Sequence, residues 1–86
     1  MTLERRRRIE ILTKWWKSIL PQIINKYALE PLMDFEDDVA LPLIQGEAQK
    51  RFAVATSTAR DYARLAYYTT ADGVEAEIRK RQGKKR

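Results

Sequence analysis

The sequence predicts a small, mainly α-helical domain. The chain has 86 residues, which is enough for one small domain. Apolar side chains recur every three or four positions between residues 3 and 28, and again between residues 48 and 66. This spacing is that of helices with one buried face. We expect a single domain over residues 1–82, followed by a disordered basic tail at 83–86.

Composition narrows the class of protein. Cysteine and histidine are both absent, so thiolate metal sites, disulfides and the commonest general base are excluded. The chain shows neither an apolar leader nor a run of about 20 apolar residues. We therefore expect a cytoplasmic protein with no cofactor, no metal and no membrane partner, and not an enzyme.

The net charge is +5, and the basic residues gather at the two ends of the chain. One basic run is Arg5, Arg6, Arg7 and Arg8, and the other is Arg79, Lys80, Arg81, Lys84, Lys85 and Arg86. Acidic residues gather between them at Glu30, Asp34, Glu36, Asp37 and Asp38. This pattern indicates a polyanionic partner. The alternative is a solvated tail and a salt-bridged helix face.

The first periodic stretch predicts an N-terminal helix capped at or beside Thr2. Its apolar stripe contains Ile9, Leu12, Trp16, Ile19, Ile23 and Tyr27. Pro21 lacks an N–H group and crowds the preceding turn, so we expect helices near 3–20 and 21–28, or one bent rod. Trp16 fits the core, and Trp15 lies either at the margin of the core or against a partner.

Residues 29–46 combine two prolines with the acidic cluster. Pro31 should end the preceding helix, and Asp34 could cap a short helix with Asp37 behind it. The carboxylates have neither calcium-loop spacing nor a glycine at the bend, so we read them as an acidic surface. Leu41, Leu43 and Ile44 are expected to seal the core, with Pro42 and Gly46 interrupting the chain.

The rest of the chain is arranged around residues 48–65. Ala48 and Phe52 share a helix face, and a tight turn follows. Thr56 or Ser57 can cap a second helix. The buried stripe of that helix is Ala59, Tyr62, Leu65 and Ala66, and its opposite face carries Ser57, Arg60, Asp61 and Arg64.

Residues 47–66 resemble the helix-turn-helix of DNA-binding proteins. The resemblance rests on Ala48, Phe52, Ala53-Val54, Thr56-Ser57-Thr58 and the run from Thr58 to Arg64. The family usually has glycine at the turn, where this chain has Ala53, which implies either a different turn or a small strain. An ordinary helical hairpin with two exposed arginines is the alternative.

The chemistry of duplex DNA suggests roles for these side chains. Short polar residues at a helix N-terminus let backbone N–H groups approach phosphate, which Thr56, Ser57 and Thr58 would allow. Arg60 and Arg64 would reach guanine or phosphate. Asp61 would either orient one of these arginines or accept a hydrogen bond from cytosine. Lys50, Arg51 and the Arg5–Arg8 run would add contacts to the phosphate backbone.

Residues 67–81 allow two interpretations. Asp72-Gly73 is a hairpin-turn signal, and Val74, Ala76 and Ile78 alternate with charged residues, which predicts the β-hairpin wing of a winged helix. The same segment is rich in helix formers, and Asp72 could cap a short helix. We favour the wing.

Two functions follow from these observations. The first is a sequence-specific or architectural protein that binds double-stranded DNA on the nucleoid. The second is an accessory or adaptor subunit of a replication or other nucleic-acid-processing complex, which would use exposed Trp15, Tyr67 and Tyr68 together with the acidic segment to dock a basic partner. The chain would act as a homodimer or within a larger protein complex.

Overall fold

The computed structural model describes residues 2–27 and 34–83, and this part of the chain is mainly helical. Its elements are α1 (Leu3–Tyr27), a π-helix (Phe35–Ala40), α2 (Leu41–Phe52) and α3 (Thr56–Gly83). The Pro31 helix break, Glu30 and the tail beyond Gly83 lie outside the described residues. None of the described helices is long and apolar enough to cross a membrane.

The α1 helix is continuous through Pro21, as the single-rod alternative required. Thr2 caps it, since the Arg5 N–H donates to Thr2 Oγ1 at 3.1 Å. One face is buried at Leu12, Trp16, Leu20 and Ile24. The predicted stripe is therefore present but rotated slightly, because Ile9, Ile19 and Ile23 are only half-buried beside it.

The acidic π-helix comprises the six residues Phe35–Ala40, and α2 begins at the next residue. Asp34 caps it as predicted, with the Asp37 N–H donating to Asp34 Oδ1 at 3.3 Å. Its apolar residues Phe35, Val39 and Ala40 are buried. The carboxylates of this segment are consequently left on its outer side.

Helix α2 begins at Leu41, earlier than the sequence suggested, and contains both Pro42 and Gly46. Proline is tolerated in the first turn, where its missing N–H has no partner to lose. Ile44 and Ala48 are buried. Leu43 is 37% exposed, so only part of the predicted apolar seal faces the core.

The predicted β-hairpin wing is wrong, because residues 67–81 lie inside α3. Tyr67, Thr70 and Val74 are buried at helical spacing, and the Thr70 hydroxyl donates to the Tyr67 carbonyl at 2.9 Å. This stripe packs on the core cluster that also contains α1 residues. Burial against α1 therefore outweighs the local turn signal at Asp72-Gly73.

Trp16 lies at the centre of the core. It is fully buried, with ring centroids 6.2 Å from Phe35 and 6.5 Å from both Trp15 and Tyr67. Within the described residues, its indole N–H has no hydrogen-bond partner. Trp15 is half-buried at the margin, so these rings join α1, the π-helix and α3 into one core.

Helices α1 and α3 run in the same direction. Trp16 packs on Tyr67, and further along both helices Leu20 and Pro21 share a groove with Gly73 and Glu77. The described residues form an elongated body of 46 × 20 × 17 Å. The first turns of α1 and α3 therefore lie at the same end of that body.

Candidate nucleic-acid interface

A short connection of residues 53–55 joins α2 to α3. Ala53 has φ 51° and ψ 41°, in the left-handed region, and its N–H donates to the Gln49 carbonyl at 3.0 Å. Of the two alternatives that the sequence left open, the structure has the strained backbone with alanine in a conformation that favours glycine. Gln49 Nε2 donates to Thr56 Oγ1 at 3.1 Å across the connection.

The predicted cap of α3 is wrong by one position. Helix α3 begins at Thr56, and the Ala59 N–H donates to the Ala55 carbonyl at 2.9 Å. Ala55 is thus the N-cap residue, and it has no side-chain acceptor. Thr56 and Ser57 are instead exposed in the first turn of the helix.

The first three turns of α3 separate apolar and charged residues as the sequence predicted. Ala59, Tyr62 and Ala66 of the predicted stripe are buried, as is Ala63, whereas Leu65 is only half-buried. Ser57, Arg60, Asp61 and Arg64 are exposed, and Thr58 is half-buried. Within the described residues, Asp61 makes no ion pair with Arg60 or Arg64.

The start of α1 lies beside the end of α2. The Arg8 guanidinium carbon is 5.3 Å from the centroid of Phe52, and Phe52 meets Tyr62 of α3 edge-on at 6.4 Å. No local pattern indicates the contact of Arg8 with Phe52, because the two residues are 44 positions apart. This contact brings the Arg5–Arg8 run to the part of the molecule that contains the α2–α3 connection.

We call residues 2–10 together with residues 47–64 the basic end. It carries eight basic side chains against four acidic ones. Two of the cations are paired locally, Arg8 with Glu4 and Arg51 with Glu47. In the part of the chain that the structure describes, the exposed side chains of Arg6, Arg7, Lys50 and Arg60 have no ion pair.

Two helix N-termini add to this positive potential. Helices α1 and α3 both start at the basic end, and a helix N-terminus carries roughly half a positive charge. Exposed backbone N–H groups in the first turn of such a helix can donate to phosphate. The C-terminus of α2 also lies at this end and carries about half a negative charge, so it offsets part of this backbone contribution without reversing its sign.

The acidic π-helix lies against the middle of α3. Tyr68, which is 56% exposed, donates its hydroxyl to Glu36 Oε2 at 3.4 Å. A side-chain hydrogen bond in which the protonated Asp37 carboxyl donates to Asp34, and then the charge of Asp34, raise the pKa of Asp37, while the charge of Arg64 lowers it. The hydrogen bond from Tyr68 therefore places the acidic segment beside α3, one helical turn beyond Arg64.

Of the three aromatic residues expected to be exposed in an adaptor, Tyr68 alone is exposed. Trp15 is half-buried and Tyr67 is 7% exposed. Burial, and next the charge of Glu36, raise the pKa of Tyr67 to about 12. The described residues contain no group of three or more carboxylates, cysteines or histidines arranged to hold a metal ion.

Comparison of the chain with protein-family models, with curated proteins and with solved structures finds no match.

Proposed function

We propose that the chain binds double-stranded DNA through the basic end, with the first turns of α3 entering the major groove. The observation that carries this proposal is the exposure of Arg60 and Arg64 on a helix whose opposite face is buried. Such a helix can present both guanidinium groups to base edges or phosphates while the core holds it in place.

The surroundings of α3 favour a polyanion as the ligand. Arg6, Arg7 and Lys50 are exposed at the same end of the molecule, where both helix N-termini also lie. Exposed cations of this kind bind phosphates and release counterions, which gives affinity without sequence preference. In this proposal Thr56, Ser57 and Thr58 line the approach of α3 to the duplex, and the protein works on the nucleoid.

The test compares two double variants that each remove two positive charges. The double variant with Arg60→Ala and Arg64→Ala should bind duplex DNA at least about tenfold more weakly. The slope of log affinity against log salt concentration should become shallower by the amount expected for the loss of up to two phosphate contacts. Lys14→Ala with Lys17→Ala removes two exposed lysines of α1 and serves as the matched control. Equal losses in both double variants would show that net charge, and not α3, determines binding.

Deletion of residues 83–86 separates the helix from the basic tail. Under this proposal the deletion weakens binding far less than the loss of Arg60 and Arg64. If the deletion instead abolishes binding, the tail is the DNA-binding element. If purified wild-type protein does not bind duplex DNA even at low salt, the proposal fails.

One observation favours the adaptor as a second candidate. Tyr68 and the acidic π-helix form an exposed acidic and aromatic surface beside Arg64, which repels DNA and suits a basic protein partner. This candidate predicts duplex binding only when a partner protein of a nucleic-acid-processing complex is present. Absence of binding by the isolated chain, together with binding by the complex, would favour it.

A further inference from the structure

The C-terminal half of α3 bears an open groove next to the acidic π-helix. The floor of this groove is an apolar stripe of α3, formed by Tyr67, Ala71, Val74 and Ile78. Ala71 and Ile78 are only half-buried, and the ring of Tyr68 beside the groove is 56% exposed. Within the part of the chain that the structure describes, about three turns of α3 therefore keep apolar surface that no other element covers.

The two ends of the groove carry opposite charges. Glu36 lies at the end near Tyr68, whose hydroxyl donates to Glu36 Oε2 at 3.4 Å. Arg79 lines the other end, about 16 Å further along the helix axis than Tyr68. Arg79 pairs with Glu75 on its own helix, and an exposed pair of this kind is weak. Glu36 and Arg79 of one chain thus stand too far apart to neutralise each other.

We propose that this groove is an interface between two copies of the chain, in which the two α3 helices pack antiparallel about a two-fold axis. Antiparallel packing turns the second copy end for end, so the acidic end of each groove meets the basic end of the other. The face is then complementary to itself, which a two-fold contact requires. The contact uses the C-terminal half of α3 and does not depend on DNA binding.

The sizes of the groove residues define the register of the pair. With the two-fold axis midway between Val74 and Glu75, Ile78 of each copy lies opposite Ala71 of the other. The large side chain then occupies the space beside the small one, as close packing of two helices requires. This register removes both half-buried residues of the groove from water, which supplies the apolar part of the interface.

The same register brings the charges together. Arg79 of one copy lies opposite Thr70 of the other, at the level of α3 beside Glu36. Two such pairs form, one on each side of the axis. A parallel pair of helices would instead place Glu36 against Glu36 and Arg79 against Arg79, so the charges select the antiparallel orientation.

The test uses two variants that each reverse one charge of the groove. Glu36→Arg and Arg79→Glu both create like charges at the two symmetric pairs, so each purified variant should dimerise at least about tenfold more weakly than wild type. An equal mixture of the two variants should recover dimerisation. In a dimer of one chain of each kind, both pairs again join opposite charges. Sedimentation velocity over a range of protein concentrations measures the dimer fraction.

Lys80→Glu is the matched control for Arg79→Glu. It makes the same change of net charge at an exposed neighbouring position outside the groove. It should leave dimerisation close to wild type. Circular dichroism checks that each variant keeps its helices, and recovery in the mixture cannot arise from two chains that have failed to fold.

Three results would overturn the proposal. Wild type that stays monomeric at every concentration would leave the groove to a different protein. Dimers that survive both charge reversals would lie on another face. Variants that remain monomeric when mixed would show that Glu36 and Arg79 do not meet across the axis. Because these measurements contain no nucleic acid, their outcome is independent of whether the chain binds DNA.

Discussion

The guanidinium carbon of Arg8 lies 5.3 Å from the centre of the Phe52 ring. This contact joins the second turn of α1 to the last turn of α2, and the edge of the Phe52 ring continues it to Tyr62 in α3. All three helices therefore meet at one cation and two rings. The basic end owes its composition to this junction, because it gathers three separate parts of the sequence.

Replacing Arg8 with methionine should lower the free energy of unfolding by about 0.5–1 kcal/mol, since the apolar stem remains and the charge over the ring is lost. Urea unfolding measures the effect. Arg7→Met, at an exposed position next to it, is the control and should change stability little. Equal losses in both variants would mean that the Phe52 contact contributes nothing measurable.

Replacing Ala53 with glycine should raise the free energy of unfolding by about 0.5–1 kcal/mol, because relief of the left-handed strain exceeds the greater backbone entropy of unfolded glycine. Thermal or urea unfolding reports the change. Ala76→Gly is the control with the opposite expected effect. Ala76 is exposed within α3, so glycine there should lower the free energy of unfolding by about 1 kcal/mol. A destabilised Ala53→Gly protein would contradict the left-handed conformation.

Replacing Gly73 with alanine distinguishes a helix from a hairpin in the C-terminal segment. Gly73 has no positive φ, and an added Cβ would meet nothing within 4 Å. Alanine should therefore stabilise the protein by about 0.5–1 kcal/mol through helix propensity. In a tight hairpin turn, the same change would force alanine into a strained conformation and lower stability. Urea unfolding therefore separates the two structures by the sign of the change.

Alkaline pH should weaken the fold through Tyr67. Its pKa is raised from 10.0 to about 12, so between these values the folded chain keeps a proton that the unfolded chain releases. Stability consequently falls as pH rises through this range. Tyr67→Phe should lose less stability there, as measured by urea unfolding at a series of pH values. If the free energy of unfolding falls equally fast with pH in both proteins, Tyr67 does not contribute to this pH dependence.

Local patterns predicted much of the helical part of the fold. The apolar periodicity of α1, the Thr2 and Asp34 caps, and the inward positions of Trp16 and Tyr62 all follow from spacing and side-chain chemistry. The exposure of Arg60 and Arg64 also follows from spacing, because the apolar residues of the opposite face are buried and so determine how the helix is oriented on the core.

Contacts between distant segments could not be predicted in this way. The signal at Asp72-Gly73 favours a turn, and only the packing of Val74 and Thr70 on α1 makes a helix there. The position of the acidic π-helix beside Arg64 depends on Phe35 reaching Trp16. Neither relationship follows from local periodicity, and the second one determines which charges lie beside α3.

The parallel arrangement of α1 and α3 has an energetic consequence for the free protein. Two helix dipoles that point the same way repel each other, and the arginines at their shared end add to that repulsion. Because α2 runs in the opposite direction, its dipole offsets only part of this repulsion, and a polyanion bound at that end would reduce what remains. Under the proposed function, nucleic acid would stabilise the fold as a counterion in addition to binding it as a ligand.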